Sequence, residues 1–384
     1  MTVLENIIEF PKHILQGWRN GGSSVVGIDI GPSSIKAVQL RKEKGRAILE
    51  TYGELALGPY AGLEVGQAVN LSSEKVVEAL KDLMREANVT TKRCAFSIPL
   101  ASSLTSVISL PTVSPKDLQS MVPIEARKYI PVPISEVTLD FWVIPPQERE
   151  TIELEEMGAQ SEQRPLSRDT TDVLLVAIHN SIINRYKSIA EGGGLTISFL
   201  EIETFSAIRS LFPGGPGTYA LLDMGAASTN VSIVENGVVY RSHVINRGSQ
   251  DITIALSRSL GVGILQAEEM KRAQGLLEGN NTENKVAETA DLILGGIFAE
   301  VNRVLLEYEK KQHKALDKVI LCGGGSLLKG VLLLAKQNLE TEVAHGDPFS
   351  KVQTPAFLEN VLKEIGPSFA VSLGVALRQL QEIE

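Results

Sequence analysis

Val25-Val-Gly-Ile-Asp29-Ile-Gly31-Pro-Ser-Ser34-Ile-Lys-Ala-Val-Gln-Leu40 and Tyr219-Ala-Leu-Leu-Asp223-Met-Gly225-Ala-Ala-Ser228-Thr-Asn-Val-Ser-Ile-Val234 follow one pattern. Each is an apolar strand, the turn D-x-G-x-x-S, and a second apolar strand. Each then passes a turn, Lys44-Gly45 or Asn236-Gly237, into a third strand at Ala47–Thr51 or Val238–Ser242. Asn-Gly between apolar runs is a strong hairpin signal. A three-strand meander therefore occurs twice, on either side of Pro213-Gly-Gly-Pro-Gly217, which can hold neither a helix nor a central strand and is read as a hinge.

Glycine in such a turn lets backbone approach a ligand, and successive N–H groups form a nest for anions, with serine hydroxyls as added donors. An aspartate before each turn supplies two carboxylates that face one another if the halves close. Two carboxylates beside a polyphosphate need a hard cation between them, and Mg²⁺ suits oxygen ligands and retained waters. The expected ligand is Mg-ATP, with Asp29 and Asp223 as metal ligands. The first turn contributes Asp29, Gly31, Ser33, Ser34 and Lys36, and the second contributes Asp223, Gly225, Ser228, Thr229 and Asn230. The pattern differs from a Walker loop, because strand rather than helix follows each turn and no G-x-x-x-x-G-K-[ST] occurs. Val319-Ile-Leu-Cys-Gly323-Gly-Gly325 reads as a buried strand and a turn leading to an apolar helix, so Gly323, Gly324 and Gly325 admit a flat base or ribose. Glu268 and Lys271 open a charged helix that either reaches the nucleoside or is a solvated face.

Composition narrows the alternatives. The 384 residues suggest two or three domains, and 43% hydrophobic residues suffice for a sizeable core. The net charge of −9 argues against nucleic acid as the main partner. Two cysteines, Cys94 and Cys322, form neither a disulfide framework nor a zinc motif. His13, His179, His243, His313 and His345 are scattered. The apolar runs are of core-strand length, far short of a bilayer span, and Met1–Trp18 lacks the form of a signal peptide, so a cytoplasmic protein is expected.

Residues 1–22 are read as an N-terminal amphipathic extension. Further helices are expected at Ser72–Ala87, Ser114–Tyr129 and Ser181–Glu191, with strands within Cys94–Leu110, at Val137–Ile144 and at Val173–Ile178. Gln147–Asp172 is acidic and without period, as in a mobile loop.

With these motifs in order, the chain resembles the actin-like ATPase superfamily, and within it the PilM family of type IV pilus assembly proteins. The most specific pieces are Gly27-Ile-Asp-Ile-Gly31, Ile35-Lys-Ala-Val38, Glu125-Ala-Arg-Lys-Tyr-Ile-Pro-Val-Pro133, Glu136-Val-Thr-Leu-Asp140 and Val319–Gly325. The resemblance implies an α/β chain with the actin-like ATPase fold: two duplicated lobes around a nucleotide cleft, with a small inserted α+β subdomain. The first lobe would be 23–93 completed by 193–213 and 355–384, and the insertion 94–192. The second would be 214–354, with a helical subdomain at about 256–314.

It further implies ATP and Mg²⁺ as cofactors, with Glu203, in Glu201-Ile-Glu203-Thr-Phe-Ser-Ala207, as the polar residue near the nucleotide and the sole candidate for a catalytic role. The implied partner is the N-terminal cytoplasmic peptide of a PilN-like single-span membrane protein, together with pilus platform and motor proteins. The chain would be peripheral to the cytoplasmic face of the inner membrane, and homo-oligomers fit the superfamily. Pro32 and Ala227 stand where hydroxyl residues are usual in the family, which would weaken nucleotide affinity. Binding is favoured over efficient hydrolysis. An FtsA-like division protein and a small-molecule kinase are the alternatives on this fold.

Overall fold

The computed structural model describes residues 24–144, 170–277 and 281–382. The N-terminal extension and most of the acidic segment 147–172 lie outside the described residues.

Both meanders form. In the first, β1 (Ser24–Ile30), β2 (Ser34–Glu43) and β3 (Arg46–Ala56) are antiparallel neighbours; in the second, β9 (Thr218–Met224), β10 (Thr229–Glu235) and β11 (Val238–Ile245) repeat the arrangement. Lys44 and Gly45 take φ of 50° and 78°, and Asn236 and Gly237 take 52° and 81°, the paired left-handed conformation that a tight hairpin requires. Gly31 N–H donates to Ser34 O at 3.0 Å, and Gly225 N–H donates to Ser228 O at 2.9 Å, so the two D-x-G turns close with the same bond. Even the irregularity repeats: a register shift falls after Gln39 in one copy and after Ile233 in the other, ten residues past Asp29 and Asp223 respectively.

Each meander continues into parallel strands. β4 (Arg93–Ile98) joins β1 and β8 (Thr196–Ile202) joins β4, giving the order β3-β2-β1-β4-β8. In the second sheet, β12 (Lys318–Cys322) joins β9 and β13 (Val343–His345) joins β12, giving β11-β10-β9-β12-β13. The two sheets have one topology. Ligands of open α/β sheets bind beyond the carboxyl ends of the parallel strands, where both turns lie.

Helices cover these sheets. α1 (Ser73–Glu86) starts at Ser72, whose side chain accepts from the Lys75 amide, and it buries Val76, Ala79, Leu80 and Leu83. Those residues share one core with Ile183, Tyr186 and Ile189 of α3 (Asn180–Gly192). α4 (Glu203–Leu211) follows β8 directly. α9 (Glu359–Ile365) leads to α10 (Ala370–Gln381), which crosses α4 so closely that a Cβ on Gly374 would lie 1.8 Å from Ser206 O. Gly27 likewise permits α10 to lie on β1, since its Cβ would meet Ser372 O at 2.2 Å. A buried ion pair pins this junction: Glu201 binds Arg209 through both oxygens, at 2.6 and 2.7 Å, and Arg378 of α10 at 3.1 Å. On the second sheet lie α5 (Ser249–Leu260), α6 (Ile264–Gln274), α7 (Asn281–Gln312) and α8 (Val331–Asn338), around a core that includes Phe298, Val301, Val304 and Tyr308.

A third, small sheet has the order β5-β7-β6, from β5 (Ser103–Pro111), β6 (Val137–Val143) and β7 (Thr170–His179), with α2 (Pro115–Ala126) between β5 and β6. Alternation along β7 gives it two buried faces. Val173, Leu175 and Ala177 meet Leu118 and Val122 of α2, while Leu174, Val176 and Ile178 enter the first lobe's core.

Several expected boundaries need correction. β4 and α3, placed by the sequence in the 94–192 insertion, belong to the first lobe, because β4 has two parallel partners there and α3 packs with α1. Thr170–Asp172 are strand rather than loop, held by pairing with β5. The Ser114–Tyr129 helix ends at Ala126. The helices of the second lobe begin at Ser249, not near 256. Gly324–Leu327 form a 3₁₀ turn, and the apolar helix starts only at Val331, after Gly330 at φ 85°. Among the described residues no helix is long and apolar enough to cross a membrane.

Candidate functional site

Asp29 and Asp223 sit at the carboxyl ends of β1 and β9, each one residue before its turn, and the registers place Lys36 opposite the first and Asn230 opposite the second. The two halves meet here. Asp29 and Asp223 repel one another, and both repel Glu203, the first residue of α4. Burial first, then these like charges, push the Glu203 carboxyl well above the usual carboxylate range; burial and Asp29 raise Asp223, against an opposing pull from Lys36. Asp29 is also raised by burial, offset by Lys36 and by the Ser97 hydroxyl, which donates to its Oδ1 at 2.6 Å. The acids of the two repeats thus lie within electrostatic reach of one another.

Other groups fix this centre. Glu203 Oε1 accepts from the Leu100 amide at 2.8 Å and from Asn230 Nδ2 at 2.9 Å, joining the two halves. Asn230 Oδ1 is buried with no hydrogen-bond partner. Lys36 is buried, donating to Ser34 Oγ at 2.7 Å and pairing with Glu54 at 3.1 Å. Ser33 and Ser228 are half-buried at the turns. Thr229, expected as a donor to the ligand, is instead buried with its hydroxyl on Arg247 O at 2.9 Å. The Gly323–Gly325 turn lies against the second aspartate: Gly323 has φ 80°, and a Cβ there would meet Asp223 Oδ1 at 2.3 Å, while one on Gly325 would meet Met224 O at 2.8 Å.

Glu268 and Lys271 are not a solvated helix face. They form a buried pair at 2.7 Å, with Thr253 donating to Glu268 Oε2 at 2.6 Å and Arg272 reaching Oε1 at 2.7 Å. Lys271 also donates to Ser249 O at 3.1 Å, at the start of α5. The first lobe touches this network. Gly66 packs on Glu268, and the Ala68 amide donates to Gln250 Oε1 at 3.0 Å.

Sequence reasoning missed Ser97, Leu100, Gln250 and Cys322, whose thiol is hydrogen-bonded to Asp223 and pushed up by burial. Only Cys322 carried a signal, as the residue before the glycine turn.

Among the described residues, no group of three or more His, Cys, Asp or Glu side chains is spaced to hold a metal ion. The donor chemistry fits a Mg²⁺ that keeps waters and shares phosphate oxygens: two mutually repelling carboxylates at strand ends, a third that both repel, and an unpartnered amide oxygen.

A family model described as type IV pilus assembly protein PilM matches residues 27–380. The chain belongs to the PilM family. A solved PilM-PilN type IV pilus biogenesis complex superposes with a TM-score of 0.75 at 24% identity, over 93% of this chain and 98% of that one. The ethanolamine utilization protein EutJ of Carboxydothermus hydrogenoformans gives 0.52 at 15% identity, over 92% and 89%. These likenesses show the actin-like ATPase fold. Among curated proteins, the cell division protein FtsA of Streptococcus pneumoniae is 22% identical over 55% of this chain and 48% of its own length. FtsA of Bacillus subtilis is 24% identical over 37% of each. The chain thus spans about half the length or less of these curated relatives, whereas the PilM model runs almost from end to end of the described residues.

Proposed function

We propose that this PilM-family chain is a nucleotide-binding adaptor of the type IV pilus assembly platform, which grips Mg-ATP between its halves and a PilN-like peptide on its surface. The observation that carries the reading is the meeting of Asp29 and Asp223, from equivalent turns of the duplicated sheets, beside the Gly323–Gly325 turn. The turn backbones at Gly31–Ser34 and Gly225–Ser228 would hold phosphates, and the glycine turn and the Glu268–Lys271 pair would meet the nucleoside. Asp29 and Asp223 would hold the metal ion through its waters. When bound, the ion neutralises polyphosphate charge that the carboxylates would otherwise repel.

Gripping is favoured over turnover. Asp29, Asp223 and Glu203 are fixed by Ser97, Cys322, Leu100 and Asn230, which suits a site that binds more than one with a base free to move protons. The partner reading draws on the PilM-PilN complex. Its partner would be the cytoplasmic N-terminus of a PilN-like membrane protein, placing the adaptor on the cytoplasmic face of the inner membrane, within reach of platform and motor proteins. An FtsA-like division role is less favoured, since the FtsA matches stop at about half the chain.

Calorimetric titration of the purified protein with Mg-ATP, and with N-terminal peptides of a PilN-like protein in its presence and absence, tests both parts. Saturable nucleotide binding that Asp29→Ala weakens at least about tenfold is expected, as for loss of a charge-assisted contact. Unchanged affinity in that variant would refute the grip.

A further inference from the structure

We infer that Gln250 is a positioning residue that latches the two D-x-G turns to one another across the cleft. The inference rests on the cleft being the ligand site and adds what holds its two sides together. Pro32 and Ala226 are equivalent positions, each three residues after its aspartate. The carbonyl of each accepts an amide from the segment beyond its own meander: Val69 N–H donates to Pro32 O at 2.8 Å, and Gln250 N–H donates to Ala226 O at 3.0 Å. The neighbouring amide of the first segment, Ala68 N–H, donates to Gln250 Oε1 at 3.0 Å. A chain of three hydrogen bonds thus runs from the first turn to the second, and Gln250 takes part in two of them.

Both ends of this chain are stiff. The segment 57–71 is bonded to the first turn twice, because Leu57 N–H also donates to Ser33 O at 2.9 Å, and Leu57 and Leu71 are buried in the first lobe's core. On the other side, a helix leaves its first amides without internal partners, and α5 spends two of them on the second turn. Ser249 N–H donates to Gly225 O at 3.0 Å, beside the bond from Gln250 to Ala226 O. Gly248 lets the helix sit that close, since a Cβ there would stand 2.3 Å from Ala226 O. A second tie runs next to the first. Gly66 packs on Glu268, Glu268 pairs with Lys271 at 2.7 Å, and Lys271 donates to Ser249 O at 3.1 Å. The buried pair therefore braces the residue before Gln250.

Within the chain of three, the bond from Ala68 to Gln250 is the one that passes from lobe to lobe, so it must break if the turns are to part. A neutral hydrogen bond of ordinary net strength shifts such an opening equilibrium by about two- to tenfold. That is enough to bias the cleft toward closure and little enough to be broken at each release. Gln250 acts through the turns it joins, not on the ligand itself.

The test compares the full chain with Gln250→Met, which keeps the bulk of the side chain and removes the acceptor, and with Gln250→Glu, which keeps an acceptor oxygen. The first readout needs no nucleotide. Cys322 is hydrogen-bonded to Asp223 at the cleft, whereas Cys94 is buried on β4 inside the first sheet. Slow alkylation of Cys322 relative to Cys94 therefore reports parting of the lobes, and a joint rise reports unfolding. In Gln250→Met the ratio should rise about two- to tenfold, and in Gln250→Glu it should stay within about twofold of the unaltered protein. Both thiols labelling faster at an unchanged ratio in Gln250→Met would make the bond merely structural and overturn the inference. The second readout is release of a fluorescent ATP analogue bound with Mg²⁺, which should quicken by the same factor in Gln250→Met and not in Gln250→Glu. Unchanged release in Gln250→Met would likewise overturn it. Failure of the unaltered protein to take up the analogue would defeat the nucleotide reading, while the thiol ratio still decides the latch.

Discussion

Gly66 and Glu268 belong to opposite halves of the protein, and they touch so closely that a Cβ on Gly66 would stand 2.6 Å from Glu268 Cδ. Glu268 cannot step aside cheaply, because Lys271, Thr253 and Arg272 all bind its carboxylate. Gly66 also has φ 90°. Gly66→Ala should therefore cost about 1–3 kcal/mol in urea unfolding, from backbone strain and a displaced network. Gln250→Ala removes only the neighbouring cross-cleft bond from Ala68 and should cost about 1 kcal/mol. Equal effects would mean that Gly66 is not the tight point.

Glu201 should make stability acid-sensitive. Burial alone would raise its carboxyl, but Arg209, Arg378 and Ser206 outweigh this and hold it below the usual range. Its folded value is depressed, so its contribution is complete above the ordinary carboxylate pKa and is lost as pH falls below that value toward the folded one. Arg209→Met breaks the pair and should cost about 3–5 kcal/mol at neutral pH, with a flatter stability profile below pH about 4.5. Denaturant titrations at several pH values would check both.

Mg-ATP should stabilise the protein by mass action. At a hundredfold excess over Kd the gain is about 2.7 kcal/mol, visible as a rise in Tm. Asp29→Ala should abolish most of that rise. A full rise in this variant would place the nucleotide elsewhere.

Both thiols should be inert in the folded state. Cys94 is raised by burial, and Cys322 by burial and then by Asp223, Glu203 and Asp29, so neither forms thiolate readily. Iodoacetamide at pH 8 should modify neither until the protein unfolds, when mass spectrometry should show both. Rapid native labelling of Cys322 would show that the cleft opens widely.

The sequence foretold what local chemistry dictates. Lys44-Gly45 and Asn236-Gly237 announced their hairpins because few dipeptides accept two positive φ values, and the twin aspartates followed from the repeated turn. What it hid depends on partners distant along the chain. Glu201 and Glu268 look like surface acids until Arg378 and Thr253 are brought to them. β4 read as part of an insertion because only its parallel pairing with β1 and β8 decides its sheet. Thr229 looked like a ligand donor, yet Arg247 O claims its hydroxyl. Leu100 acts through its main chain, which a side-chain motif cannot reveal.

The helix that lies against β1, β2 and β4 is α10, made from residues 370–381, after the whole second sheet has been synthesised. The strands of that second sheet all come from one stretch between Thr218 and His345. During translation the later half therefore has every strand it needs while the earlier half still waits for its lid. The first half can therefore be completed only after the second has been made, and Gly27 and Gly374 are the positions that admit its late helix.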